Sequence, residues 1–202
     1  CAIYCTLSEA LALLQNLPAD LSPERKAVVR HALSLVGKVN YFWGGKSLVL
    51  GWDSRWGQLT QVWAAGSQTT GTYRPYGLDC SGFVDWVFYN ASGGTYVIGH
   101  GGGAYAQHTY CTDIPWSEAQ PGDPWRRRLC PAYLLHRYSL ERGPARRFGL
   151  LPGGRAHWIV GGRDEDGNLL VIHCASGSLN NVVITGASGF VAIATPQFYG
   201  EE

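Results

Sequence analysis

The stretch Asp79-Cys80-Ser81-Gly82-Phe83 constrains this chain most, because it sets a capping residue, a thiol and an apolar helical stripe side by side. Asp79 is a strong N-cap residue, whose carboxylate accepts from the backbone N–H groups that open a helix. Phe83, Val84, Val87 and Phe88 then recur on one helical face, and Gly93-Gly94 supplies the stop. The spacing predicts a helix beginning at Cys80, with that face buried against a sheet. Cys80 falls in the first turn, where unpaired N–H groups and the positive end of the helix dipole favour thiolate over thiol. A nucleophile needs that setting. Cys is also among the most buried residue types, so taken alone the position reads equally as a packing thiol, and partners elsewhere must decide.

Composition narrows the alternatives. A chain of 202 residues with 46% hydrophobic and 15% charged content can bury a domain-sized core and is not disordered. Its 27 Gly, 10 Pro, 8 Trp and 11 Tyr favour a loop-rich α+β fold over a helical bundle. No apolar run reaches membrane-spanning length. A net charge of +1 gives no global reason to expect nucleic acid or a membrane surface as partner. Eight of the Arg residues lie between Arg126 and Arg155, opposed by Glu141, so that segment carries +7 against −6 in the remainder. The six Cys form no C-x-x-C pair, so neither a structural zinc nor another cofactor is expected. With no Met present, the expectation is that a start and any export signal lie outside this sequence. Cys1 fits a lipid-modified terminus or a disulfide with Cys5, and Cys111 and Cys130 could pair in an oxidising compartment.

Along the chain, residues 1–21 read as a helical extension and 22–202 as one domain. Residues 7–17 suggest a short helix closed by Pro18; Ser22-Pro23-Glu24 opens a second, with Val28, Val29, Ala32, Leu33 and Val36 as its stripe and Gly37 as its stop. Asn40-Tyr41-Phe42-Trp43-Gly44-Gly45 is an aromatic segment whose glycines permit close backbone approach. Residues 46–78 form a long connection, with Trp52, Trp56, Trp63, Tyr73 and Tyr76 either lining a cleft or anchoring the loop. Gly99 to Ala104 lacks the preceding strand and following Lys of a phosphate loop. The Arg-rich stretch 124–155 reads as an insertion, partly helical around 131–141.

From His157 the pattern becomes that of a β-hairpin: 157–161, a polar turn at 163–167, then 169–174. If Gly162 closes the loop opposite Asn168, paired numbers sum to 330 and His157 faces His173. Residues 182–185 and 190–194 read as closing strands. A thiol at a helix start, followed by a His with a polar neighbour across a hairpin, is the order of a cysteine peptidase triad. Cys80 would attack an acyl carbon, His157 would take its proton and return it to the leaving amine, and His173 would orient His157. The other readings of the two His are a satisfied buried pair or metal ligation, and Cys174 alternates to the face away from His173, which disfavours zinc.

Tyr41-Phe42-Trp43-Gly44-Gly45, Asp79-Cys80-Ser81-Gly82-Phe83-Val84, Gln120-Pro121-Gly122-Asp123, His157 and Ile172-His173 together resemble the ordered motifs of the NlpC family of bacterial cell-wall cysteine peptidases, over about 24–195. The resemblance implies a papain-like α+β fold, with the nucleophile helix packed on an antiparallel sheet. It implies peptidoglycan stem peptides as substrate, cut between γ-D-glutamate and the diamino acid, and hence an extracytoplasmic or wall-associated protein. By the same resemblance Tyr41 and the Cys80 N–H serve the oxyanion, and Asp79 with Ser81 receives the free amine of the terminal L-alanine. The chain departs from the family pattern in the Arg-rich segment after Pro-Gly-Asp, in the longer 46–78 connection and in a strand after His157 that is one residue short. Two further readings are an N-acetylmuramoyl-L-alanine amidase of the cysteine-histidine type and a wall-binding pseudoenzyme.

Overall fold

The computed structural model describes residues 3–4, 7–126, 157–187 and 192–200. A short strand β1 (Ile3–Tyr4) precedes α1 (Leu7–Gln15) and α2 (Pro23–Ser34). Helix α2 starts as its sequence dictates: the Ser22 hydroxyl accepts from the Arg25 N–H, Pro23 sits where no N–H is needed, and Val28, Val29, Ala32 and Leu33 are buried. The long connection is not structureless. It contains a hairpin of β2 (Leu59–Gln61) and β3 (Tyr73–Pro75), whose three-residue strands are too short to leave a period in the sequence. Trp56 anchors it, buried with its ring 5.6 Å from that of Trp86, whereas Trp52, Trp63 and Tyr73 are exposed.

Helix α3 (Cys80–Ala91) follows, then α4 (Gly103–Thr109), β4 (Cys111–Ile114), β5 (Pro124–Arg126), β6 (His157–Arg163), β7 (Leu169–Ala175), β8 (Asn181–Gly186) and β9 (Ala192–Pro196). Seven strands form one antiparallel sheet in the order β1-β8-β7-β6-β5-β9-β4. The architecture is thus mixed helix and antiparallel sheet. Residues 124–126 belong to the sheet rather than to an insertion, and the helix expected around 131–141 lies outside the described residues.

Strand alternation gives the sheet two unlike faces. Ile159, Leu170, Ile172, Cys174, Val182 and Ile184 pack with Phe83, Val84, Val87 and Phe88 of α3 and with the α2 stripe. Trp158, Val160, Leu169, Val171 and Ile193 form a second cluster on the other face. The Gln120-Pro121-Gly122-Asp123 motif ties these layers together. Gly122 and Asp123 exchange backbone hydrogen bonds with Val160, each 2.8 Å long, while the buried Asp123 carboxylate accepts from Arg25 of α2 at 2.7 Å and from Thr195 of β9 at 2.9 Å.

The β6–β7 register corrects the expected pairing. Arg163 faces Leu169 and Gly162 faces Leu170, but beyond a bulge at Gly161 the pairs are Val160 with Val171 and Ile159 with Ile172. Those last pairs sum to 331, not 330, so Trp158 falls opposite His173 and position 157 opposite Cys174. The ring centroids of Trp158 and His173 are 4.3 Å apart, which agrees. The turn begins one residue later than the sequence suggested and the two glycines absorb the difference: Gly162 takes φ +150, and a Cβ on Gly161 would lie 2.8 Å from Leu13 Cδ2. A one-residue slip exchanges the faces of a strand.

Candidate active site

The start of α3 is built as a cap. Asp79 is extended, and its Oδ1 accepts from the Gly82 N–H at 2.6 Å and from the Ser81 hydroxyl at 2.8 Å. Cys80 is therefore the first helical residue, and it is half-buried. The aromatic segment lies against this cap: Leu78 donates to Asn40 O, Phe42 donates to Leu78 O, Asp79 donates to Gly45 O, and Tyr41 bridges to Leu78. Such contact needs backbones without intervening side chains. A Cβ on Gly77 would lie 1.9 Å from Asn40 O, one on Gly45 2.2 Å from Gly77 O, and one on Gly82 2.1 Å from Gly45 O.

This geometry brings Tyr41, Asp79, Cys80 and Ser81 together. Burial, reinforced by the neighbouring Cys80, Asp79 and Cys174, raises the Tyr41 phenol above its ordinary value, so it remains an O–H donor at neutral pH. The Cys174 thiol is buried, donates to Leu78 O at 3.1 Å, and is likewise held protonated by burial and by Cys80 and Asp79.

His173 belongs elsewhere. It alternates with Cys174, faces the second cluster, stacks on Trp158 and shares a hydrogen bond of 3.1 Å with the Thr185 hydroxyl. The sheet itself separates it from α3. Burial pulls its imidazole down to about 4, and it is neutral at physiological pH.

Three polar residues that the sequence reading passed over complete the surroundings of Cys80. The Lys46 ammonium donates to the Ser81 hydroxyl and to Asp79 Oδ1, the latter at 3.1 Å, and stands 3.6 Å from Asp85 Oδ2. Gln107 of α4, fully buried, donates from Nε2 to Ser81 O at 2.7 Å and to Asp85 Oδ1 at 2.8 Å. Asp85 was legible in principle, as an acid inside an apolar helix; burial pushes it up to about 6, against the pull of Lys46 and Gln107. A cleft lined by Asp20, Glu24, Arg25, Gln120, Arg163 and Glu165 includes neither Cys80 nor Tyr41. Cys111 carries a thiol rather than a disulfide, pushed up to about 12 chiefly by burial. Among the described residues, no helix is long and apolar enough to cross a membrane, and no three His, Cys, Asp or Glu side chains gather as metal ligands would.

No protein-family model matches the chain, and no curated protein does. A solved structure is similar. It is that of the peptidoglycan hydrolase RipB from Mycobacterium tuberculosis, 21% identical, aligned over 94% of this chain and 81% of that one with a TM-score of 0.47. At that score the likeness carries no argument about function, which has to rest on the residues around Cys80.

Proposed function

We propose that this chain is a papain-like cysteine peptidase of the cell wall that hydrolyses peptidoglycan stem peptides at the γ-D-glutamyl to diamino acid bond. The observation that supports it most is the convergence of Cys80, at the mouth of α3, with a Tyr41 phenol kept protonated beside it. In this reading the Cys80 thiolate attacks the acyl carbon, and its N–H and the Tyr41 hydroxyl donate to the oxyanion. His157, at the start of β6, takes the thiol proton and delivers it to the leaving amine. His173 has no part, and the position across the hairpin from His157 is filled by Cys174. Asp79 and Ser81, matched by resemblance to an amine-binding role, act first as the cap of α3 and as acceptors for Lys46. The substrate implies an extracytoplasmic setting.

The test is incubation of the purified protein with defined muropeptides, read by mass spectrometry of the products. Fragments cut after γ-D-glutamate are expected, and Cys80→Ala should lower the rate by at least about 10³-fold. Release of intact stem peptides from muramic acid would assign the amidase reaction instead. Binding to peptidoglycan without turnover, in a protein whose Cys80 alkylates no faster than Cys111, would make the chain a wall-binding module.

A further inference from the structure

Two carboxylates crowd the opening turns of α3. Asp79 directly precedes Cys80, and Asp85 lies one and a half turns further on; they are 9% and 3% exposed. Negative charge beside a thiol disfavours its ionisation, which opposes what the helix start does for Cys80. Lys46 offsets both carboxylates at once. Its ammonium contacts Asp79, Asp85 and Ser81, so that it grips the residues on either side of Cys80 from a loop that is not part of the helix. Among the described residues, the other titratable groups around the thiol are Tyr41, from the aromatic segment, and Cys174, from β7, both kept neutral by burial.

We propose that Lys46 is a positioning residue for the nucleophile: by neutralising Asp79 and Asp85 it lets the Cys80 thiol ionise near neutral pH. The inference rests on the reading of Cys80 as nucleophile, and it adds a residue and a charge balance that this reading does not require. Lys46 acts on the thiol through the two carboxylates it contacts and is 38% exposed, so a modest effect, about tenfold in thiolate fraction, is expected.

Alkylation of Cys80 by iodoacetamide reads this out, since the thiolate forms the S–C bond, iodide leaves and the proton passes to solvent. Rates are measured against pH by mass spectrometry with peptide mapping. In Lys46→Met the profile should move up by about one unit, slowing alkylation at pH 7 about tenfold, and Lys46→Arg should restore it. Lys46→Met with Asp85→Asn, which removes one charge of each sign, should return the profile most of the way and guards against a single variant that fails to fold. An unchanged profile in folded Lys46→Met, or failure of Lys46→Arg to rescue, overturns the proposal. If wild-type Cys80 reacts no faster than Cys111, the nucleophile reading itself fails, and the two failures are told apart.

Discussion

Burial fixes the protonation of the ring that the sequence had marked as orienting the base. His173 sits at about 4 in the folded protein against about 6.5 when exposed, so folding favours its neutral form. The stability it contributes is complete above pH 6.5 and is lost as pH falls from there through 4, amounting to about 3 kcal/mol. Urea denaturation across that range should show the decline, and His173→Phe should flatten it while leaving muropeptide cleavage at neutral pH intact. An orienting residue would instead cost about 10⁴-fold in rate. Single residues were legible where the chemistry is local. Asp79, Cys80 and Ser81 share one helix start, and Tyr41 lies beside a glycine pair that announces close contact. His173 was misplaced because a bulge at Gly161 leaves no mark in the alternation of apolar residues. Lys46 and Gln107 were invisible because their partners lie 33 and 26 residues away in the chain.

At the scale of elements, the start of α3 is set by direct backbone contact in addition to its buried side chains. Gly82 is an unfavourable residue inside a helix, and Ala there would raise intrinsic helix propensity by about 1 kcal/mol. The clash of that Cβ with Gly45 O, at 2.1 Å, outweighs the gain, because a carbonyl tied into a neighbouring segment cannot give way as a flexible side chain could. Gly82→Ala should therefore destabilise by about 1–3 kcal/mol in chemical denaturation, and it should slow Cys80 alkylation by displacing the helix start from Tyr41. Helix boundaries were readable from Ser22, Pro23 and Asp79, since caps are local. The β2–β3 hairpin was not, for strands of three residues carry no period.

Across the whole molecule, the Arg25–Asp123 pair holds α2 to the entry of β5 and, through Thr195, to β9. The guanidinium is 11% exposed and the carboxylate is fully buried, and the Tyr199 ring lies 4.1 Å beneath the guanidinium. Arg25→Ala would strand a buried charge and should cost about 3–5 kcal/mol, measured as a fall in urea midpoint. The resulting loss should be smaller in Arg25→Ala with Asp123→Asn, which removes the orphaned carboxylate. Neither partner lies at the candidate site, so any loss of cleavage should follow the unfolded fraction.

The three close glycine contacts bear on how the surroundings of Cys80 can change. Where backbones touch directly, neighbouring side chains have little say in the spacing between the aromatic segment and α3. Substitutions at the exposed Trp63 and Tyr73 would then leave the start of α3 in place, whereas Gly45, Gly77 and Gly82 stay closed to every side chain. A library built on this scaffold should diversify the first set and hold the second fixed.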